Sequence, residues 1–86
     1  MTYRVDFLAS VVDLDIPALT KSAKERIRRA IEQKLTTRPV ELGKPLRYSL
    51  KGCRRIRVGD CRVVYVIDGD VVTVVKIGHR KEVYER

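Results

Sequence analysis

The 86-residue sequence lacks the marks of several large protein classes. It has no apolar run approaching the ~20 residues a bilayer-spanning helix needs, which argues against a helical membrane protein. Its first residues, Met1-Thr2-Tyr3-Arg4-Val5-Asp6, have no apolar stretch of the kind that directs export, so they do not read as a signal peptide. Cysteine is scarce: Cys53 and Cys61 are too few for a disulfide scaffold or a zinc cage. In the reducing cytoplasm that the missing export signal implies, they read as small, mostly buried hydrophobes. There is one histidine, and no grouping of carboxylates or histidines offers a metal site, so no metal and no cofactor are expected. Internal repeats and low-complexity tracts are also missing. Glycine does not occur before Gly43, which leaves the first half of the chain free to carry helices.

What is present is a normal apolar fraction, 44%, arranged in ordered blocks, together with 35% charged residues. This composition excludes intrinsic disorder. The length leaves room for one core, so residues 1–86 read as a single domain. Tyr3, Val5 and Phe7 alternate with Arg4, Asp6 and Leu8, predicting a strand over about 2–8. A short helix over about 9–16 should break near Pro17. Ala23, Ile27, Ala30, Ile31 and Leu35 recur at helical spacing, and Ser22 with Glu25 forms a capping-box pattern, so a second helix is expected over about 22–36. Residues 38–52, punctuated by Pro39, Gly43, Pro45 and Gly52, read as a connection. Strands over about 54–58, 61–67 and 71–77 follow, joined by a two-residue Gly59-Asp60 turn and a three-residue Asp68-Gly69-Asp70 turn. The expected fold is α+β: a compact βααβββ chain with a mostly antiparallel four-stranded sheet packed on two N-terminal helices.

The net charge of +8 points to a polyanion or an acidic protein as partner. Residues 1–43 hold 8 basic and 6 acidic side chains, net +2, whereas residues 44–86 hold 11 and 5, net +6. The excess gathers in Lys44, Arg47, Lys51, Arg54, Arg55, Arg57 and Arg62, against Asp60. A two-residue turn at Gly59-Asp60 sets Val58 opposite Cys61, Arg57 opposite Arg62, Ile56 opposite Val63 and Arg55 opposite Val64. Ile56, Val58, Cys61 and Val63 then share the face that packs on the helices, and Arg55, Arg57 and Arg62 share the other. The three-residue turn would set Lys76 opposite Arg62, on that second face. Cys53 and Cys61 fall on opposite faces and cannot form a disulfide.

Like charges directly across a strand pair are destabilising. Their retention is the kind of local conflict that functional sites display, and guanidinium groups grip phosphates in a forked geometry. The competing account is that the arginine stems cover apolar sheet surface while their heads reach water. Beyond the last strand, His79, Arg80, Lys81 and Tyr84 can fold over the edge of the basic face. They would add a titratable ring, cations and an aromatic suited to stacking on a base.

The stretch KGCRRIRVGDCRVVYVIDGD followed by VVTVVKIGHRKEVY resembles the RelE/ParE superfamily of type II toxins. The resemblance covers nearly the whole chain and implies the same βααβββ fold. RelE-type members cleave mRNA in the ribosomal decoding site, and ParE-type members poison DNA gyrase. RelE-type activity is associated with two basic residues on the second strand, an Arg opening the third, an Arg after the fourth and a Tyr near the C-terminus. Arg55, Arg57, Arg62, Arg80 and Tyr84 fill those places here, which favours the RNase branch. The family pattern has lysines at the two second-strand places. Arg55 and Arg57 stay protonated and are poor proton acceptors, so the general base is left unassigned.

The activity implied is a metal-independent endoribonuclease in which the ribose 2′-OH attacks the adjacent phosphate. Arg57, Arg62, Arg80 and Tyr84 would be catalytic. Arg55, with Arg54, Lys51 and Lys76, would bind substrate, and His79 is the candidate acid or base. The partners implied are mRNA in the ribosomal A site and a cognate antitoxin with an acidic, amphipathic segment, in a toxin–antitoxin hetero-oligomer in the cytoplasm. The alternatives are a gyrase inhibitor, a nucleic-acid-binding module without chemistry, and an inactive antitoxin-binding homologue.

Overall fold

The computed structural model describes residues 2–46 and 52–79. Strand β1 (Arg4–Phe7) leads into a short π-wound helix, α1 (Val11–Asp15). Helix α2 (Lys21–Ala30) follows and continues as a π turn over Ile31–Leu35. A third helix, α3 (Pro39–Leu42), and a two-residue strand, β2 (Lys44–Pro45), precede β3 (Arg54–Val58), β4 (Cys61–Asp68) and β5 (Val71–His79). The sheet is five-stranded in the order β1-β5-β4-β3-β2. Only β1 pairs in parallel, with β5, and the other pairings are antiparallel. The α+β class is as expected. The fifth strand and α3 lie inside the segment read as a connection, where each is too short to show a periodic signal.

The apolar stripe on α2 packs as its spacing predicts: Ile27, Ala30, Ile31 and Leu35 are buried. They meet Ile56, Val63, Tyr65, Val72, Val74 and Ile77 from the sheet. The cap lies two residues before the expected Ser22. Thr20, in extended backbone, accepts a hydrogen bond from the Ala23 amide at 3.1 Å. Arg28 and Arg29, on the exposed side of α2, are paired locally with carboxylates of the same helical run. Arg28 donates to Glu25 and Glu32, at 2.5 and 2.9 Å. Those bonds raise the Arg28 guanidinium and lower the Glu25 carboxyl from their ordinary values.

A smaller cluster lies on the opposite face of the sheet. Leu46 and Val64 are buried there with Cys53 and Val75 against them, while Cys61 packs into the main core. Neither cysteine is in a disulfide, and the two lie on opposite faces as the register requires.

Tyr65 ties the missed elements to the sheet. It is fully buried, and its Oη donates to the Pro39 carbonyl at 2.7 Å. Burial pushes its phenol up to about 12. A Cβ on Gly43 would fall 1.7 Å from that oxygen, so the close approach of the chain there requires glycine.

Candidate nucleic-acid interface

The β3–β4 hairpin turns at Gly59, whose φ of 61° lies in the left-handed region. The observed pairs are Val58–Cys61, Arg57–Arg62, Ile56–Val63 and Arg55–Val64, as the two-residue turn predicts. Arg55, Arg57 and Arg62 therefore share one face of the sheet. Arg57 is exposed, Arg62 half-buried, and Arg55 only 8% exposed. Burial, then the charges of Arg62 and Arg57, hold the Arg55 guanidinium below its usual value. Burial and the two neighbouring cations thus disfavour the charged form of Arg55, which an anion at this face would favour.

The second hairpin corrects the placement of Lys76. Asp68 pairs with Val71, so Gly69-Asp70 is a two-residue turn, with Gly69 at φ 61°. A register shift between Val64 and Tyr65 then leaves Val75 as an extra residue. Each change moves the pairing by one residue. Lys76 accordingly stays in a row of the arginine face but lies opposite Val64, and Gly78 lies opposite Arg62. Its ammonium is held by Asp15 Oδ1 at 3.1 Å, while Asp15 Oδ2 accepts from the Ile77 amide at 2.9 Å. This pair occupies the edge of β5 beyond Val74, where β1 ends. Lys76 therefore serves the attachment of α1, and its charge is not directed at the arginines.

Two other expected site residues lie elsewhere. Arg54 pairs with Tyr65 on the helix-facing side, and its Nη1 donates to the carbonyls of Val40 and Gly43, both at 3.1 Å. It holds the end of α3 against the sheet. His79 is the last residue of β5, opposite Cys61, and belongs to the helix-facing row. It lines a cavity of about 410 Å³ with Asp15, Arg26 and Lys76, and none of the three arginines belongs to that lining. Lys51, Arg80 and Tyr84 lie outside the described residues. Among the described residues no cluster of His, Cys, Asp and Glu could hold a metal, and no helix is long and apolar enough to cross a membrane.

Sequence reasoning counted Lys44 in the basic excess without assigning it a site role, and it missed Lys34. Lys34 from the π turn and Lys44 from β2 line a cavity of about 260 Å³ at the outer side of β3, together with Arg55 and Arg57. Lys44 is the register partner of Arg55. The signal was present only as a basic residue before Pro45, because the pairing of β2 depends on a long-range contact.

Comparison with known proteins agrees with this architecture. Residues 5–84 match the family model described as ParE toxin of type II toxin-antitoxin system, parDE. The chain is 41% identical over 54 residues to Toxin RelG of Mycobacterium tuberculosis, a match covering 60% of this chain. It spans 62% of that relative's length. Among solved structures, it is similar to a chain of the RelBE2 toxin-antitoxin complex of M. tuberculosis, with a TM-score of 0.85, 28% identity, and coverage of 93% of this chain and 100% of that one. It is also similar to a chain of the archaeal RelE-RelB complex of Pyrococcus horikoshii OT3, with a TM-score of 0.73, 26% identity, and coverage of 96% and 100%. A family match that runs from β1 almost to the last residue, over a sheet arranged as in RelE, establishes that the chain belongs to the ParE toxin family of type II toxin–antitoxin systems, within the RelE/ParE superfamily.

Proposed function

We propose that this toxin is a ribosome-dependent mRNA endoribonuclease of the RelE kind, inhibiting translation in the cytoplasm until a cognate antitoxin covers its basic face. The observation that carries the reading is the convergence of Arg57, Arg62 and the nearly buried Arg55 on one sheet face. In the reaction, the 2′-OH oxygen forms a bond to phosphorus and loses its proton. The bond from phosphorus to the 5′ oxygen breaks, and that oxygen gains a proton. The products are a 2′,3′-cyclic phosphate and a free 5′-OH. Arg57 and Arg62 hold the scissile phosphate and stabilise the charge it gains in the transition state, and Arg55 reinforces the field from behind. Arg80 and Tyr84 are assigned to phosphate contact and to stacking on the substrate by their match to the family pattern. A cation cluster without a strong base suits an enzyme whose substrate is positioned by the ribosome.

The test is induction of the chain without its antitoxin, with primer extension on a translated message. Cleavage and growth arrest are expected, and Arg57→Ala and Arg62→Ala should lose both while remaining folded. Full toxicity in both variants would refute the site.

The match to the ParE family model favours one second reading, inhibition of DNA gyrase. It predicts double-strand breaks in the presence of purified gyrase and intact message in a translating extract.

A further inference from the structure

We propose that the cavity at the outer side of β3 is a second phosphate subsite, in which Lys34 and Lys44 bind the RNA backbone next to the phosphate held by Arg57 and Arg62. This rests on the reading of RNA as the substrate.

The cavity is lined by Lys34, Lys44, Arg55 and Arg57, with Leu42 and Ile56 as its apolar part, and among the described residues no acidic one takes part. The nearby carboxylates of α3 and α2 are engaged elsewhere, Glu41 with Arg38 and Glu32 with Arg28. No ion pair of Lys34, Lys44 or Arg57 occurs among the described residues. Lys34 is half-buried at the cavity wall, and its charged neighbours there among the described residues are Lys44, Arg55 and Arg57, all cationic. A bound anion would offset this gathering of cations.

The placement fits a backbone running off the arginine face. Arg55 and Arg57 are two residues apart on β3, about 7 Å along the strand. Lys44 is the partner of Arg55 across the strand pair, and Arg62 is the partner of Arg57. A strand of RNA held at Arg57–Arg62 therefore meets Lys44 and Lys34 as it crosses the edge of the sheet. The pair β2–β3 spans only Lys44–Arg55 and Pro45–Arg54, so β2 does not cover this edge opposite Ile56 and Arg57. A cavity of about 260 Å³ accepts a phosphate and part of a sugar, whereas a helix from an acidic protein requires a groove along several turns.

The experiment measures binding of a 2′-O-methylated single-stranded RNA oligonucleotide, which cannot be cleaved, to the 86-residue chain by fluorescence anisotropy across a salt series. Each lost phosphate contact should reduce the salt slope by about 0.7, so Lys34→Gln/Lys44→Gln should lose about 1.4 and bind about 25-fold more weakly at 0.1 M salt. Lys34→Arg/Lys44→Arg should keep the slope. The control Lys21→Gln/Lys24→Gln removes the same charge from the start of α2 and should change the slope by less than half as much. An unchanged slope in the Gln pair, or an equal loss in the control pair, would overturn the subsite. Failure of the oligonucleotide to bind, with binding of an acidic peptide abolished by the Gln pair, would assign the cavity to a protein and also overturn it. Loss of message cleavage by the wild-type chain in translating extract would refute the nuclease reading and leaves these slopes unaffected.

Discussion

Replacing Arg57 with glutamine should stabilise the protein while abolishing its toxicity. Arg57 lies directly opposite Arg62 and two residues from Arg55, and its charge lowers the pKa of the Arg55 guanidinium. A like-charged pair across two strands costs about 0.2–1 kcal/mol. With two such neighbours, removal of the charge should return about 1 kcal/mol. Glutamine keeps part of the stem, and Arg57 is exposed, so little packing is lost. At about 2.1 cal/mol/K per residue, unfolding this chain carries an entropy of about 0.18 kcal/mol/K, so Tm should rise by about 5 °C. The assay is a thermal melt at about 10 mM and about 1 M salt, and the rise should shrink by at least half at the higher concentration, where the screening length is only about 3 Å. Message cleavage in translating extract should disappear in the same variant. A fall in Tm at low salt, or a rise indifferent to salt, would refute the claim that the cluster is held against electrostatic strain.

Three further outcomes are expected. Tyr65→Phe should cost about 1–3 kcal/mol in a urea melt, because the buried Pro39 carbonyl loses its donor. The folded protein holds the Tyr65 proton up to about 12, whereas an unfolded tyrosine releases it near 10. The Tyr65 contribution to stability should therefore be intact below pH about 10 and lost between about 10 and about 12, and the phenylalanine variant should lack that component. Gly43→Ala should destabilise by about 1–3 kcal/mol through its clash with the Tyr65 hydroxyl, and a double-mutant cycle with Tyr65→Phe should show strong non-additivity. Asp15→Ala should cost about 1–3 kcal/mol and should speed hydrogen exchange at the Ile77 amide, which loses its acceptor. Unchanged exchange there would show that α1 is held to β5 by other contacts.

The residues of α2 and of the β3–β4 hairpin made their own structure readable. Their apolar spacing, and the short turn between Val58 and Cys61, fix which side chains share a face through periodicities of 3.6 and 2 that need no distant partner. The arginine face was therefore visible as sequence. Arg54, Lys76 and His79 could not be separated from it in the same way. The roles of Arg54 and Lys76 depend on acceptors 11 to 61 residues away, the carbonyls of α3 and the carboxylate of Asp15. The row of His79 depends on a bulge at Val75, where alternation fails. The cap at Thr20 likewise turned on an extended backbone that Ser22 does not have. The sequence by itself determined the order of most elements, the family and the cluster of Arg55, Arg57 and Arg62. Only the tertiary structure decided which of the remaining cations are tied down and which, with Lys34 and Lys44, converge on an open cavity, because that depends on where α3, β2 and the edge of the sheet meet.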